Sequence, residues 1–296
     1  MLAAIDELDF RPSRTARSLS LGRTHSIGVV VPLVTNPSAV ARLGGFISVV
    51  GTSAYDLVLF DVEQPAQRDE QLRRLARGGI ADGVLIVSLA PTDAQVRRFA
   101  ASGTAVVLLD VAHPQLAHVV IDDVEGGRLA TRHLHALGHR RIGYVGDAPT
   151  GFGWGSDRRR GYEEALAAEG VPSDAALVRE GPHGRAGARE LAAQLLASRE
   201  PPTAVFAASD MQALGVLDAA REAGVPVPAR LSVVGFDDLE VAEVAGLTTV
   251  RQPLRESGAR AATLLLERLE GRRDGPHREV LPLTVVVRDT TGPPAA

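Results

Sequence analysis

Short apolar runs recur along the chain, and their residues do not alternate with polar ones. Such runs, rich in Val, Leu and Ile, are typical of parallel strands covered on both faces. They predict strands at residues 26–32, 57–61, 83–88, 105–110, 118–122, 141–146, 204–209 and 231–237. Helical segments are predicted between them, at residues 67–78, 126–137, 158–169, 187–198 and 211–223. This alternation predicts an α/β fold of doubly wound parallel sheets.

Residues that favour helix ends support this pattern. Asn36 precedes Pro37, which puts a capping side chain before a proline at the first helical position. Asp210 is predicted to cap the helix that follows it, and Gly224 ends that helix where a left-handed residue is favoured. The helix around residues 44–52 is rich in glycine and β-branched residues, so we expect tertiary packing to hold it.

Length and composition narrow the class of protein. The 296 residues suffice for one large or two medium domains, and no apolar run is as long as a membrane span. Acids at Asp6, Glu7 and Asp9 argue against a signal peptide. The chain has no cysteine, which excludes disulfides, thiolate metal sites and cysteine nucleophiles. These features predict a cytoplasmic protein without a membrane partner.

Motifs of common enzyme classes do not occur in the sequence. There is no phosphate-binding Gly-x-x-x-x-Gly-Lys-Ser/Thr loop and no Gly-x-Ser-x-Gly elbow. His133 and His135 lie two residues apart on a predicted helix and point to different faces, so we expect no metal site there. We therefore expect no catalytic residues and no cofactor, although a sugar- or nucleotide-processing enzyme on this scaffold stays an alternative.

The N-terminal segment combines a short apolar pattern with local positive charge. Leu2, Ile5 and Leu8 have helical spacing, but a helix this short cannot bury its apolar face alone. Residues 11–25 contain four arginines and no acid, whereas the whole chain has a formal net charge of -4. The charge fits either a solvated linker or a segment that meets a phosphate backbone. In the second case Leu19 is an apolar wedge of the type inserted between base steps.

Residues 11–19, Arg-Pro-Ser-Arg-Thr-Ala-Arg-Ser-Leu, are followed by Ile27-Gly-Val-Val-Val-Pro32. Together they resemble the hinge of the lactose-repressor (LacI/GalR) family of bacterial transcription regulators. In that family a hinge helix joins a helix-turn-helix headpiece to a sugar-binding-protein-like core, and the hinge leucine enters the minor groove. The resemblance implies a DNA-contacting hinge formed by Arg14, Ala16, Arg17 and Leu19. The two helices of the helix-turn-helix have no counterpart in this sequence, so we expect weak operator binding from the chain as given.

The resemblance extends over nearly all of the remaining chain. It implies a type I periplasmic-binding-protein-like core, in which two subdomains face each other across a cleft and are joined by three crossovers. The implied division is 1–25 for the headpiece remnant and hinge, 26–125 plus 252–280 for one subdomain, 126–251 plus 281–291 for the other, and 292–296 for a tail.

Polar residues that end or follow predicted strands are the candidate binding residues, because ligands of open α/β sheets bind at the carboxyl ends of strands. Asp110, Ser209 and Asp237 occupy such positions, and Arg158 begins a helix after a glycine-rich loop that contains Trp154. Carboxylates accept paired hydroxyls, and guanidinium groups donate to oxygen. The Trp154 ring offers an aromatic face for a sugar ring or a nucleobase. An aspartate at a strand end is often a helix or turn cap, so Asp210 and Asp238 are expected to be structural, and Arg158 could belong to a solvated face.

Family motifs favour the binding interpretation. Residues 158–162 resemble an Arg-x-x-Gly-aromatic motif whose arginine contacts the effector. Residues 235–238 resemble a Gly-aromatic-Asp-Asp motif whose first aspartate, here Asp237, faces the ligand. By the same resemblance Ser209 lines the pocket, and Asp110 takes a cleft position.

The resemblance implies a DNA-binding transcription regulator, expected to be a repressor, that binds a small polar effector. A sugar is the family default, and the expected assembly is a homodimer or a tetramer. The family often has two aromatic residues after Asn-Pro, but Ser38 and Ala39 follow here, so no particular sugar is assigned. The alternative is a periplasmic-type solute-binding protein without a transcriptional role, which shares the core.

Overall fold

The computed structural model describes residues 23–148, 156–172 and 174–295. The predicted hinge residues Arg14, Ala16, Arg17 and Leu19, and the predicted binding residue Trp154, lie outside these ranges.

Two six-stranded sheets organise the described part of the chain. The strands are β1 Ser26–Pro32, β2 Asp56–Val62, β3 Gly83–Val87, β4 Ala105–Leu109, β5 Ala117–Val120, β6 Ile142–Asp147, β7 Val178–Gly181, β8 Ala204–Ala207, β9 Ser232–Asp237, β10 Thr248–Arg251, β11 Arg278–Val280 and β12 Thr284–Val286. The helices are α1 Pro37–Val50, α2 Pro65–Leu75, α3 Asp93–Ser102, α4 Asp123–Ala136, α5 Ser156–Ala168, α6 Arg185–Leu196, α7 Asp210–Glu222, α8 Glu240–Val244 and α9 Leu254–Leu269.

The two sheets repeat one topology. The first has the order β11-β5-β4-β3-β1-β2, and the second has the order β12-β10-β9-β8-β6-β7. The paired strands are parallel except for β10 and β12, which are antiparallel. The strand order reverses beside β1 in the first sheet and beside β6 in the second, and such reversals open crevices at the carboxyl ends of the strands. The predicted doubly wound α/β fold is confirmed.

The chain passes between the sheets three times, from β5 to β6, from β10 to β11 and from β11 to β12. We call the first sheet with α1, α2, α3 and α9 lobe 1, and the second sheet with α4 to α8 lobe 2. The central strands are buried on both faces: Val29 and Val31 of β1 enter one apolar cluster and Val30 enters another. The unbroken apolar runs in the sequence have this origin, because both faces of each strand need apolar side chains.

Helix α1 confirms the predicted cap and explains the glycines in its sequence. The Asn36 side chain accepts a hydrogen bond from the Ser38 amide, and proline begins the helix. A Cβ atom on Gly45 would lie 1.9 Å from the Arg255 carbonyl oxygen, and one on Gly258 would lie 1.9 Å from that of Arg42. Helices α1 and α9 therefore cross in backbone contact, which only glycine permits at these two positions.

The cap of α7 differs from the prediction. The Ser209 hydroxyl accepts the hydrogen bond from the Gln212 amide at 3.2 Å and is the capping group. The Asp210 carboxylate instead accepts hydrogen bonds from the Leu239 amide at 2.7 Å and the Thr249 hydroxyl at 2.6 Å. Burial raises the pKa of Asp210 to about 8. Asp210 thus ties the loop after β9 to β10, a long-range contact that the local sequence does not show.

Among the described residues, no helix has the length and apolar character needed to cross a membrane.

Candidate functional site

A cavity of about 500 Å³ lies between the two lobes. This volume is within the range of roughly 300–1,000 Å³ that small-molecule sites have. Residues after β1 and β3 line it from lobe 1, and residues after β6 and β8 line it from lobe 2. These are the strands beside which the sheet order reverses, so the topology of both sheets directs a ligand to this cleft.

The structure brings four of the predicted binding residues together. Asp110, Arg158, Ser209 and Asp237 all line the cavity, although they come from both lobes and are spread over more than a hundred positions of sequence. Their role as effector contacts stays a prediction, and the geometry below supports it.

Asp110 follows β4, and each oxygen of its carboxylate accepts a hydrogen bond. Its Oδ1 accepts a hydrogen bond from Arg42 Nη2 at 2.5 Å, and its Oδ2 accepts one from the Ser88 hydroxyl at 2.6 Å. Its backbone is left-handed, with φ 66°, which non-glycine residues seldom adopt. The surrounding contacts thus fix both the backbone and the carboxylate of Asp110 at the cavity wall.

Arg158 lies on the first turn of α5, and its side chain lines the cavity from lobe 2. Its Nε donates to Asp123 Oδ1 at 2.8 Å, and its Nη1 donates to the Ala208 carbonyl at 2.6 Å. The guanidinium lies 3.7 Å from the centre of the Phe236 ring and 3.9 Å from Asp237 Oδ1. Burial works against its charge, but Asp123 and Asp237 outweigh burial and raise the pKa of Arg158, so it stays protonated.

Asp237 ends β9 with a left-handed backbone, φ 120°, and its side chain is 6% exposed. Its Oδ1 accepts a hydrogen bond from Gln252 Nε2 at 2.5 Å. Burial raises the pKa of Asp237, while Arg158 and Arg42 lower it. The next residue, Asp238, has a different role.

Asp238 turns away from the cavity. Its two carboxylate oxygens each lie 2.6 Å from an arginine, Arg251 and Arg288. Asp238 is therefore structural.

Gln252 joins the two lobes. Its Oε1 accepts a hydrogen bond from Arg42 Nη2 at 2.9 Å, while its Nε2 donates to Asp237. Gln252 is 4% exposed and lies at the passage from β10 to α9, where the chain returns to lobe 1. A continuous polar chain therefore runs from Asp110 through Arg42 and Gln252 to Asp237.

A second polar cluster spans the mouth of the cleft. Asp147 accepts hydrogen bonds from Gln212 Nε2 at 2.8 Å and from His183 Nδ1 at 3.0 Å, and this second bond raises the pKa of His183. His183 Nε2 lies 3.1 Å from Asn36 Nδ2 of lobe 1. Because the Asn36 oxygen already accepts from Ser38, the Asn36 amide donates and His183 Nε2 accepts. In neutral His183 the ring proton is therefore on Nδ1, where it is donated to Asp147.

Sequence reasoning missed several lining residues, which are Arg42, Ser88, Asp123, Asp147 and His183, together with the bridging Gln252. Ser88 and Gln252 directly follow strands, and Asp147 ends one, so the strand-end rule could have found them. Arg42 lies in the middle of α1, and no local signal separates it from a surface arginine.

The histidines near the end of α4 have packing roles. His139 lies 2.9 Å from the Thr203 hydroxyl and 2.9 Å from the Gly292 carbonyl, and burial lowers its pKa. His133 contacts the Thr291 hydroxyl. In the part of the chain that the structure describes, no group of three His, Asp or Glu side chains is placed to hold a metal ion.

A cleft between two doubly wound parallel lobes, lined by carboxylates and guanidinium groups from both, defines a periplasmic-binding-protein-like ligand-binding core. Residues 131–291 match the family described as periplasmic binding protein-like domain. The chain is 35% identical to the HTH-type transcriptional regulator CelR of Thermobifida fusca, over 97% of this chain and 87% of that protein. It is 29% identical to the HTH-type transcriptional regulator DegA of Bacillus subtilis, over 99% and 88%.

Solved structures agree with these sequence matches. A CelR–cellobiose complex superposes with a TM-score of 0.80 at 32% identity, covering 97% of this chain and 88% of that one. A LacI family regulator from Enterococcus faecium with bound ribose superposes with a TM-score of 0.80 at 30% identity, covering 90% and 99%. The chain belongs to the LacI/GalR family of transcriptional regulators, and its two lobes form the effector-binding core.

Proposed function

We propose that this protein is a cytoplasmic, sugar-responsive transcriptional repressor without enzymatic activity. Its cleft binds the effector through Asp110, Arg158, Ser209 and Asp237, and Trp154 adds an aromatic face. The observation that carries the proposal is the meeting of these carboxylate and guanidinium groups from both lobes in one cavity. Relatives of the same fold have been solved with cellobiose and with ribose, which supports a sugar.

The proposed mechanism is linkage between the cleft and the DNA. The two subdomains are residues 26–125 plus 252–280 and residues 126–251 plus 281–291, and an effector that binds one of their relative arrangements more tightly shifts the population toward it. In a dimer this shift moves the paired hinge segments, formed by Arg14, Ala16, Arg17 and Leu19, relative to the operator. A coupling of about 1–3 kcal/mol changes operator affinity by roughly 5–150-fold.

Cellobiose, ribose and glucose test the proposal directly. At least one is expected to raise the melting temperature by several degrees, because a ligand at a hundred times its Kd stabilises a protein by about 2.7 kcal/mol. The measurement is a thermal-shift titration, with equimolar sorbitol as the control for general osmolyte stabilisation. The bound sugar should be recovered unchanged by chromatography. Absence of a shift with all three sugars contradicts the proposed effector class, and turnover contradicts the absence of enzymatic activity.

The proposed homodimer uses an apolar face of lobe 1. Val40 and Ile47 on α1 are half exposed, and so is Leu59 on β2, an edge strand of the first sheet. Four successive residues of β2, from Asp56 to Leu59, are exposed. An exposed apolar edge strand is a template for pairing with another chain, and we propose that a second copy covers it.

Placing a charge in this face should separate the dimer. The double variant Ile47→Glu/Leu59→Glu is expected to elute as a monomer, because two carboxylates would be buried without partners at the interface. Light scattering after size exclusion gives the mass. The matched control is Val280→Glu, since Val280 is 43% exposed on β11, the opposite edge of the same sheet. A double variant with the wild-type dimer mass would place the interface elsewhere.

A further inference from the structure

The two innermost guanidinium groups of the cavity are already neutralised by the protein. Arg42, with 6% of its side chain exposed, lies 2.5 Å from Asp110 and also donates to Gln252. Arg158, with 18% exposed, is bonded to Asp123 and lies near Asp237. Phe236 covers one face of the Arg158 guanidinium at 3.7 Å. Their remaining N–H groups can donate to a ligand, but their charges are balanced before a ligand arrives.

Carboxylates exceed guanidinium groups around the cavity. Among the described residues, six aspartates and four arginines line it. Asp123 and Asp237 both lie beside the Arg158 guanidinium, at 2.8 and 3.9 Å. A ligand phosphate or carboxylate placed beside them would add negative charge next to a guanidinium that these two carboxylates already balance.

The other cationic groups of the lining do not change this balance. Arg160, at the edge of α5, lies 3.0 Å from Asp157 and is more than half exposed. Arg278, the exposed first residue of the edge strand β11, also lines the cavity, and solvent screens its charge. His183 lies 3.0 Å from Asp147, whose carboxylate balances the charge of the ring when the ring is protonated. The inner cavity therefore offers many hydroxyl acceptors and polar donors without a surplus of positive charge.

We infer that the effector is an uncharged polyhydroxyl compound, and that the cavity discriminates against phosphorylated and carboxylated forms of the same skeleton. The inference rests on the proposed function and narrows its ligand class. Specificity of this kind comes from repulsion of the wrong ligand as much as from attraction of the right one. The buried carboxylates supply both, because they accept hydroxyl hydrogens from a sugar and repel its anionic derivatives.

Calorimetric titration of matched sugars separates charge from size. The probes are ribose and glucose, each as the free sugar, the methyl ether of its primary hydroxyl and the phosphate ester of that hydroxyl, together with glucuronate, which keeps the glucose ring. The methyl ether is expected to bind within about tenfold of the free sugar. Each phosphate ester relative to its free sugar, and glucuronate relative to glucose, is expected to bind at least a hundredfold more weakly.

A charge-removing variant tests the cause. Asp123→Asn should bring the affinities of the phosphate ester and the free sugar at least tenfold closer together, whereas Asp218→Asn, in an ion pair with Arg185 outside the cavity lining, should leave their ratio unchanged. A phosphate ester that binds as tightly as its free sugar overturns this inference alone. A methyl ether excluded as strongly as the phosphate overturns it too, since size would then be the cause. No binding by any free or derivatised sugar overturns the proposed function, and this inference with it.

Discussion

Replacing Arg158 with methionine is expected to abolish effector-induced thermal stabilisation while the chain still folds. Arg158 joins Asp123, the Ala208 carbonyl and Asp237 at the floor of the cavity, and methionine cannot donate to any of them. Methionine keeps an apolar contact with the Phe236 ring, so the surrounding packing should survive. The loss should therefore fall on ligand binding and local charge balance rather than on the fold.

The variant should also be less stable without ligand. Removing one member of a buried ion pair costs about 3–5 kcal/mol, because the remaining charge is left unbalanced. We expect a value near 3 kcal/mol, since 18% of the Arg158 side chain and 27% of the Asp123 side chain stay exposed. Adding Asp123→Asn removes the unbalanced carboxylate. It should recover part of the melting temperature but not the response to sugar.

Arg159→Met is the matched control for the neighbouring position. Arg159 pairs with Glu163 and Glu180 and is 38% exposed, so its loss should leave the sugar-induced shift unchanged. The measurement is a thermal-shift titration of all variants with the sugar that stabilises the wild type most, and far-UV circular dichroism verifies folding. A wild-type shift in Arg158→Met would remove Arg158 from the effector site.

Gly45→Ala is expected to lower the free energy of unfolding by about 3 kcal/mol, the upper part of the usual range for overpacking. The added Cβ would lie 1.9 Å from the Arg255 carbonyl oxygen, so α1 and α9 would have to move apart. Neither helix can shift its backbone at this position alone, because α1 and α9 pack against each other along an extended contact. A change of this size corresponds to a fall in melting temperature of roughly 6–12 °C for a large domain.

Gly44→Ala supplies the control in the same helix. Its Cβ would meet only the end of the flexible Arg255 side chain, with Nη1 at 3.0 Å and Cζ at 3.7 Å. Alanine also has the higher helix propensity, by about 1 kcal/mol, so this variant should be as stable as the wild type or more so. Urea unfolding followed by circular dichroism measures both. Equal destabilisation by the two alanines would contradict the close crossing of α1 and α9.

The crossing of α1 and α9 also positions a residue of the proposed effector site. Arg42 is part of this crossing, because its carbonyl oxygen lies against Gly258 of α9. Its side chain extends to Asp110 and Gln252 at the cavity. A shift of α1 would carry Arg42 with it. The same helix presents Ile47 to the proposed dimer face. Helix α1 thus lies between the effector cavity and the proposed dimer face, and in the proposed mechanism it would transmit movement of one to the other.

Local patterns predicted most of the strands because buried parallel strands need apolar side chains on both faces. All eight predicted strands are present, within a few residues of their predicted ends. The short strands β7, β10, β11 and β12, of three or four residues, were not predicted from apolar runs. Strand β11, Arg278–Val280, contains two charged residues and is a strand only because its backbone pairs with β5.

The sequence by itself determined the α/β class, the family, the Asn36 cap and four aspartate, arginine and serine positions at the cavity. Each depends on a signal within a few residues, such as an apolar run or a polar residue at its end. Only the tertiary structure decided that Ser209, rather than Asp210, caps α7, and that Arg42 and Gln252 connect the two lobes. Arg42 and Gln252 lie 210 positions apart, and a hydrogen bond over that separation exists only after both lobes have folded.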